Sequence, residues 1–188
     1  SLGEYTALTA ANIISIEECA NLLKQRGKLM QEAFEPNKSG MAALIGINCS
    51  DCENLIREND LKVEIANDNS PMQIVISGVK EDLVNSEKYF TKFGVKKFIL
   101  LNVSAAFHSF LMKDAEKNMK KIISNTKFNY SDVSIISNYN AKICKNNNEI
   151  ISNLSLQMSN RVRWVESIKT LEKHNETNII EIGPGKVL

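Results

Sequence analysis

The chain has 188 residues, and its 23 Lys+Arg against 22 Asp+Glu leave a formal charge of +1. So even a balance provides no large basic field for bulk electrostatic binding of nucleic acid. Apolar residues make up 43%, enough for a sizeable globular core, and no apolar run approaches the roughly 20 residues of a membrane span.

The opening SLGEYTAL lacks the charged start and apolar middle of a secretory signal. The chain starts on Ser1 rather than Met and stops at Leu188 after an apolar stretch, the pattern expected of a piece of a longer protein. Tyr5, Leu8 and Ala11 recur at helical spacing and predict a helix over 3–11. Ser15-Ile-Glu-Glu18 is a capping box opening a second helix, with Cys19, Leu22, Leu23, Leu29 and Met30 on its apolar side. Pro36 and the Asn-Lys-Ser-Gly after it end that helix.

A strand at 41–47 comes next, then a second capping box at Ser50-Asp-Cys-Glu53 and a helix to residue 59. Strands at 62–66 and 73–77 flank an Asn/Asp/Ser/Pro turn; a helix over 80–93 ends at Gly94, and a strand follows at 96–101. The order β-α-β-β-α-β is the ferredoxin-like pattern. Beyond it the sequence predicts a helix at 109–126, a strand at 133–137 and a polar surface loop at Lys145–Glu149. Helices at 151–158 and 164–174, a strand at 178–182 and a Gly-Pro-Gly turn complete the series. The architecture expected is an α/β domain over 1–38 and 105–188, interrupted by a ferredoxin-like subdomain at 39–104.

Composition narrows the chemistry. Asn occurs 22 times, Lys 19 and Ile 21, a bias of AT-rich codons, against which only four arginines and two histidines stand out. The cysteines are sparse: Cys49-Ser-Asp-Cys52 has half of a zinc or redox spacing, but no second pair or close histidine completes a metal site. A reducing compartment is the simpler inference.

Ser1-Leu-Gly before a helix is the second half of a G-x-S-x-G nucleophile elbow, and equally the pattern of a serine that caps a helix. A serine nucleophile needs a base. His108, in Ala-Ala-Phe-His-Ser, lies in a loop able to return to a cleft, whereas His174 sits among charged groups at a helix end. Arg26 stands among lysines beside Gly27, which would allow close approach; its planar fork can hold a carboxylate bidentately where lysine cannot.

The segments Ser1-Leu-Gly-Glu-Tyr, Gln25-Arg-Gly-Lys-Leu-Met-Gln31, Asn69–Gly78, Ala106-Phe-His-Ser-Phe-Leu-Met112, Gln157–Trp164 and Glu181–Leu188 form an ordered set. Together they resemble malonyl-CoA:acyl-carrier-protein transacylase, the acyltransferase family of type II fatty acid synthesis. The resemblance implies an α/β-hydrolase-like domain carrying the ferredoxin-like insert, with Ser1 the acylated nucleophile and His108 its base. It implies that Gln157 orients His108 through its backbone carbonyl, that the Leu2 N–H supplies one oxyanion contact, and that Arg26 pairs with the malonyl carboxylate. Phe107 resembles the phenylalanine of malonyl-selective members.

Malonyl-CoA and acyl carrier protein are the implied substrate and partner, with no cofactor beyond the coenzyme A thioester itself. A monomer is expected, in a bacterial cytoplasm or in a plastid or other organelle of a eukaryote with an AT-rich genome. Three departures from the family accompany this. Its N-terminal quarter, with a second oxyanion contact, is absent; the chain ends before the last elements; and Arg161 replaces the usual proline. Three alternatives stay open: an acyltransferase domain of a multidomain polyketide synthase, an inactive carrier-protein-binding module, and a hydrolase whose terminal amine serves Ser1 as base.

Overall fold

The capping box at Ser15 sets the direction of the first long helix. Ser15 Oγ accepts from the Glu18 N–H at 3.1 Å, and the Glu18 carboxylate accepts from the Ser15 N–H at 3.2 Å. Two N–H groups without helical partners are thereby satisfied. The computed structural model describes residues 1–174, 176 and 178–183. Helix α1 (Leu2–Ala10) buries Tyr5 and Leu8 against α2 (Ile16–Glu32), whose Cys19, Leu22 and Met30 face inward. Helices α5 (Lys113–Ser124) and α6 (Asn147–Leu156) close this helical core with Ala115, Met119, Ile123, Ile150 and Leu154.

A four-stranded antiparallel sheet lies between α2 and α5 in the chain. It consists of β1 (Ser39–Ile45), β2 (Val63–Ser70), β3 (Gln73–Val79) and β4 (Lys97–Leu100), in spatial order β2-β3-β1-β4. Helices α3 (Cys49–Glu58) and α4 (Lys80–Phe93) supply the crossovers and bury Cys52, Leu83 and Phe90 against one sheet face. Gly94 ends α4 with φ 107°, a left-handed turn that glycine adopts without steric cost. The opposite face carries Met41, Ala43, Ala66 and Val75 beneath Leu101, Val103 and Phe107. Phe107 also packs against the helical core, so it joins the two layers immediately before His108.

Edge strand β2 departs from a regular ladder between Ile65 and Asn67. At that bulge the Val162 N–H donates to the Ala66 carbonyl at 2.8 Å, and the Asp68 N–H donates to the Val162 carbonyl at 3.0 Å. The segment entering α7 (Trp164–Lys173) is thus stitched to the outer edge of the sheet. This covers a row of backbone groups that an edge strand leaves open.

Several expected elements change. Asn48, not Ser50, caps α3, its Oδ1 accepting from the Asp51 N–H at 2.9 Å. The expected loop at 145–149 is the start of α6: Asn146 Oδ1 accepts from the Glu149 N–H, and the helix begins at Asn147. A 3₁₀ turn at Phe110–Met112 precedes α5, and α6 tightens into a second 3₁₀ turn, Gln157–Ser159. Residues 133–137 form no strand; only Ile136 bridges, to Ile143. Residues 178–182 form none either, and Ile179, Ile180 and Ile182 are exposed. A strand needs a neighbour to complete its backbone hydrogen bonds, and neither segment finds one among the described residues. The expected turn continues through residues 184–185, outside the described residues.

Candidate active site

Ser1 stands at the N-cap of α1, yet its hydroxyl makes no capping hydrogen bond. Instead Oγ lies 2.9 Å from His108 Nε2 and accepts from Arg26 Nη2 at 2.8 Å. Three residues far apart in sequence therefore meet at one oxygen. The hydroxyl hydrogen is free to point at the imidazole, while the guanidinium occupies the oxygen's acceptor side.

The ring of His108 is held from behind. Nδ1 lies 3.0 Å from the Gln157 carbonyl and 3.1 Å from the Asn160 carbonyl. Two acceptors at one ring nitrogen place the proton on Nδ1 and leave the Nε2 lone pair toward Ser1. The His108 N–H also donates to the Met158 carbonyl at 3.2 Å. His108 has φ 59°, left-handed backbone that histidine tolerates better than most residues but that still costs about 1–3 kcal/mol. Burial lowers the imidazole pKa to about 3; nearby positive charge, Arg26 included, adds to this, and the two carbonyl contacts act in the opposite direction. The ring is therefore neutral at pH 7, the state a proton acceptor needs.

Gln157 contributes more than its carbonyl. Its side-chain Nε2 donates to the Glu4 carboxylate at 2.7 Å, to the Ser1 carbonyl at 3.0 Å and toward Asn138 Oδ1 at 3.3 Å. Its Oε1 accepts from Arg26 Nη2 at 3.4 Å. The buried Glu4 carboxylate also accepts from the Asn138 N–H. Burial pushes the Glu4 pKa up, against the downward pull of its hydrogen bonds from Gln157 and Asn138.

Arg26 is 7% exposed and stacks over the Tyr5 ring at 5.6 Å. Among the described residues no carboxylate lies within ion-pair distance of it, and its buried Nε has no partner. A guanidinium sequestered in this way is short of an anion. Gly27 is not the reason it fits, since a Cβ there would meet nothing within 4 Å. A cleft of about 430 Å³ opens on His108, lined in part by Ile56, Ile65, Phe110, Tyr139 and Arg161. Leu2 lies in the first turn of α1, where N–H groups have no helical acceptor.

The other sequence candidates stand apart. His174 is exposed at the end of α7. Cys49 and Cys52 are free thiols; burial pushes Cys49 up to about 11 and Cys52 higher still, and no metal-binding cluster occurs among the described residues. Arg161 donates to Glu53 at 2.6 Å and to the Cys49 sulfur, tying the segment after Asn160 to α3. Sequence reading missed Glu4, Asn138 and Asn160. Glu4 was visible in the Ser-Leu-Gly-Glu run one helical turn after Ser1, but a glutamate in a first turn usually faces solvent.

The family described as acyl transferase domain matches residues 1–188. The chain belongs to that family. It is 37% identical over 191 residues to the malonyl CoA-acyl carrier protein transacylase of Bacillus subtilis, covering 100% of this chain and 60% of that protein. It is 40% identical over 191 residues to the polyketide biosynthesis protein PksE of the same organism, covering all of this chain and 24% of that one. Among solved structures, an acyl-carrier-protein S-malonyltransferase from Burkholderia pseudomallei superposes with a TM-score of 0.94 at 32% identity, over 98% of this chain and 61% of that one. A malonyl-transacylase in complex with its type II PKS acyl-carrier protein gives 0.93 at 32% identity, over 98% and 60%. The chain therefore shares the mixed α/β fold of these malonyltransferases and spans about 60% of their length.

Proposed function

We propose that this acyl transferase domain carries the reacting groups of an [acyl-carrier-protein] S-malonyltransferase, moving malonyl from malonyl-CoA to the phosphopantetheine thiol of acyl carrier protein. The observation that carries the reading is the convergence of Arg26 and His108 on the Ser1 hydroxyl, at 2.8 and 2.9 Å. A nucleophile flanked by a base and an anion-seeking guanidinium suits an acyl donor with a free carboxylate.

In the first half-reaction His108 Nε2 takes the Ser1 proton as Oγ attacks the thioester carbonyl. The tetrahedral intermediate collapses, the C–S bond breaks, and the coenzyme A thiolate takes the proton back from His108. In the second half the carrier thiol gives its proton to His108 and attacks the malonyl-serine ester, and the Ser1 oxygen leaves and regains that proton. Leu2 N–H at the start of α1 serves the oxyanion. Arg26 leaves its contact with Ser1 to hold the malonyl carboxylate, and Phe107 packs the wall beneath His108.

The strand order β2-β3-β1-β4 with two helical crossovers supports naming 39–104 a ferredoxin-like subdomain. Residues 1–38 and 105–188 are then the α/β-hydrolase-like part; their described residues form a helical core separate from that of the sheet and hold no named strand, so that name rests on the family resemblance. The bacterial relatives support a cytoplasmic setting, and among the described residues no helix is long and apolar enough to cross a membrane. The polyketide relative at 40% identity supports a second setting for the same chemistry, donation to a polyketide carrier protein.

The decisive experiment incubates the full-length protein with malonyl-CoA and looks by mass spectrometry for a malonyl adduct on Ser1. Fatty-acid and polyketide carrier proteins are then offered in turn. Acylation followed by transfer is expected; carrier binding without acylation would make the domain a binding module instead.

A further inference from the structure

We infer that Glu116 is a positioning residue for His108, acting by clamping the turn whose carbonyls hold the imidazole. This rests on the reading of Ser1 and His108 as nucleophile and base. Glu116 lies in the first turn of α5, eight residues after His108, and is 7% exposed. One of its oxygens, Oε2, accepts from both the Ser159 hydroxyl and the Ser159 N–H, the latter at 3.3 Å. Ser159 is itself buried, and it sits between Gln157 and Asn160, the two residues whose carbonyls meet His108 Nδ1.

The segment 108–116 therefore grips the turn 157–160 at both of its ends. At one end are the His108 N–H to Met158 bond and the two ring contacts; at the other is the carboxylate of Glu116. A packing role alone would call for an apolar side chain at this buried site, because a carboxylate removed from water is costly unless hydrogen-bonded. Two donors on one carboxylate oxygen form a charge-assisted pair of restraints. Lys113 reaches the other oxygen only at 3.4 Å and is half exposed, so it adds little to the clamp. Without Glu116, Ser159 keeps two buried donors and no acceptor, and the turn moves to find water. A displacement near 1 Å at a reacting geometry lowers rate by about 100-fold, and here the displaced groups are those that aim Nε2 at Ser1.

The test measures the nucleophilicity of Ser1 directly, as the rate at which a fluorophosphonate labels it in the full-length protein. This readout does not depend on which acyl group is the substrate. Glu116→Ala is expected to slow labelling by about 10- to 100-fold and to lower kcat for acyl transfer with KM unchanged. Glu116→Gln keeps an acceptor oxygen for Ser159 and is expected to label within about threefold of the parent protein, since two hydrogen bonds, weaker without the charge, still hold the turn. Ser159→Ala, which removes one donor and serves if Glu116→Ala does not fold, is expected to be slowed to an intermediate degree. Labelling of a folded Glu116→Ala or Ser159→Ala protein at the parent rate overturns the inference. So does a Glu116→Gln protein as slow as Glu116→Ala. A parent that labels rapidly but transfers no malonyl overturns the proposed function and leaves the clamp intact.

Discussion

The Arg26 guanidinium donates to Ser1 Oγ at 2.8 Å, so the group expected to select the substrate already touches the nucleophile. One acceptor site on the hydroxyl oxygen is filled by Nη2, and the remaining favourable arrangement has the O–H pointing at His108 Nε2, 2.9 Å away. A carboxylate arriving at Arg26 would draw the guanidinium off the oxygen and release that lone pair for attack. On the proposed roles, selection and activation would be coupled through a single atom.

Arg26 should therefore influence both binding and rate. Arg26→Ala is expected to cut malonyl transfer by about 100-fold or more, a change of about 3 kcal/mol, with acetyl transfer far less affected. Arg26→Lys should not restore the preference, because an ammonium cannot present the planar fork. Competition kinetics with malonyl-CoA and acetyl-CoA measure this, and an unaltered malonyl-to-acetyl ratio would remove Arg26 from its role.

For the nucleophile and base, Ser1→Ala should abolish the malonyl adduct seen by mass spectrometry. His108→Asn should slow adduct formation by about 10³-fold or more while preserving the left-handed backbone, which asparagine accepts. An adduct that persists in Ser1→Ala assigns the acyl group elsewhere.

Stability should depend on pH through His108. Its pKa is about 3 in the folded chain against 6.5 for the free side chain. Above pH 6.5 neither state carries the proton, and the residue contributes no pH dependence. Between 6.5 and 3 the unfolded chain binds a proton that the folded chain refuses, so stability falls as pH falls. Urea denaturation at a series of pH values should show the parent losing stability more steeply over this window than His108→Asn. Parallel curves would contradict the buried neutral imidazole.

Gln157 is expected to matter through its side chain as well as its carbonyl. Gln157→Ala leaves the buried Glu4 carboxylate and the Arg26 guanidinium each short of a partner, at a cost of about 1–3 kcal/mol. In a double-mutant cycle with Glu4→Gln the two losses should not add, because both residues belong to one network. Strictly additive effects on the denaturation midpoint would place them in separate roles.

Arg161→Pro should be nearly silent for chemistry. The Arg161–Glu53 pair, half exposed on the glutamate side, is worth about 0.5–1 kcal/mol. Proline also leaves untouched the Val162 hydrogen bonds that attach this segment to β2. A melting temperature lower by a few degrees with unchanged kcat is expected; a large loss of kcat would give Arg161 a part in the site.

What could be read from the sequence was what local chemistry decides. The span 80–93, its Gly94 stop and the box at Ser15 need only neighbouring residues, and all three stand where the pattern puts them. The order β-α-β-β-α-β follows from the same alternation of periods. Residues 133–137 and 178–182 read as strands because they are apolar and β-branched, but a strand also depends on a neighbour the pattern does not name. Asn146 and Asn48 were hidden by the asparagine bias, which makes any one capping asparagine look like background. The site divides the same way. Ser1, Arg26 and His108 could be picked out by residue type, yet the amide of Gln157 joining Glu4 to Arg26 spans more than 130 positions and has no local signature.

The two backbone bonds between Val162 and the bulge of β2 make the sheet edge a ruler for the catalytic turn. Each residue of a strand advances about 3.3 Å, more than a hydrogen bond can stretch, so β2 tolerates no slip if the carbonyls of Gln157 and Asn160 are to meet His108. A one-residue insertion near Ala66 would disarm a serine it never touches. On the proposed mechanism, the geometry of proton transfer would thus constrain the length of an outlying strand.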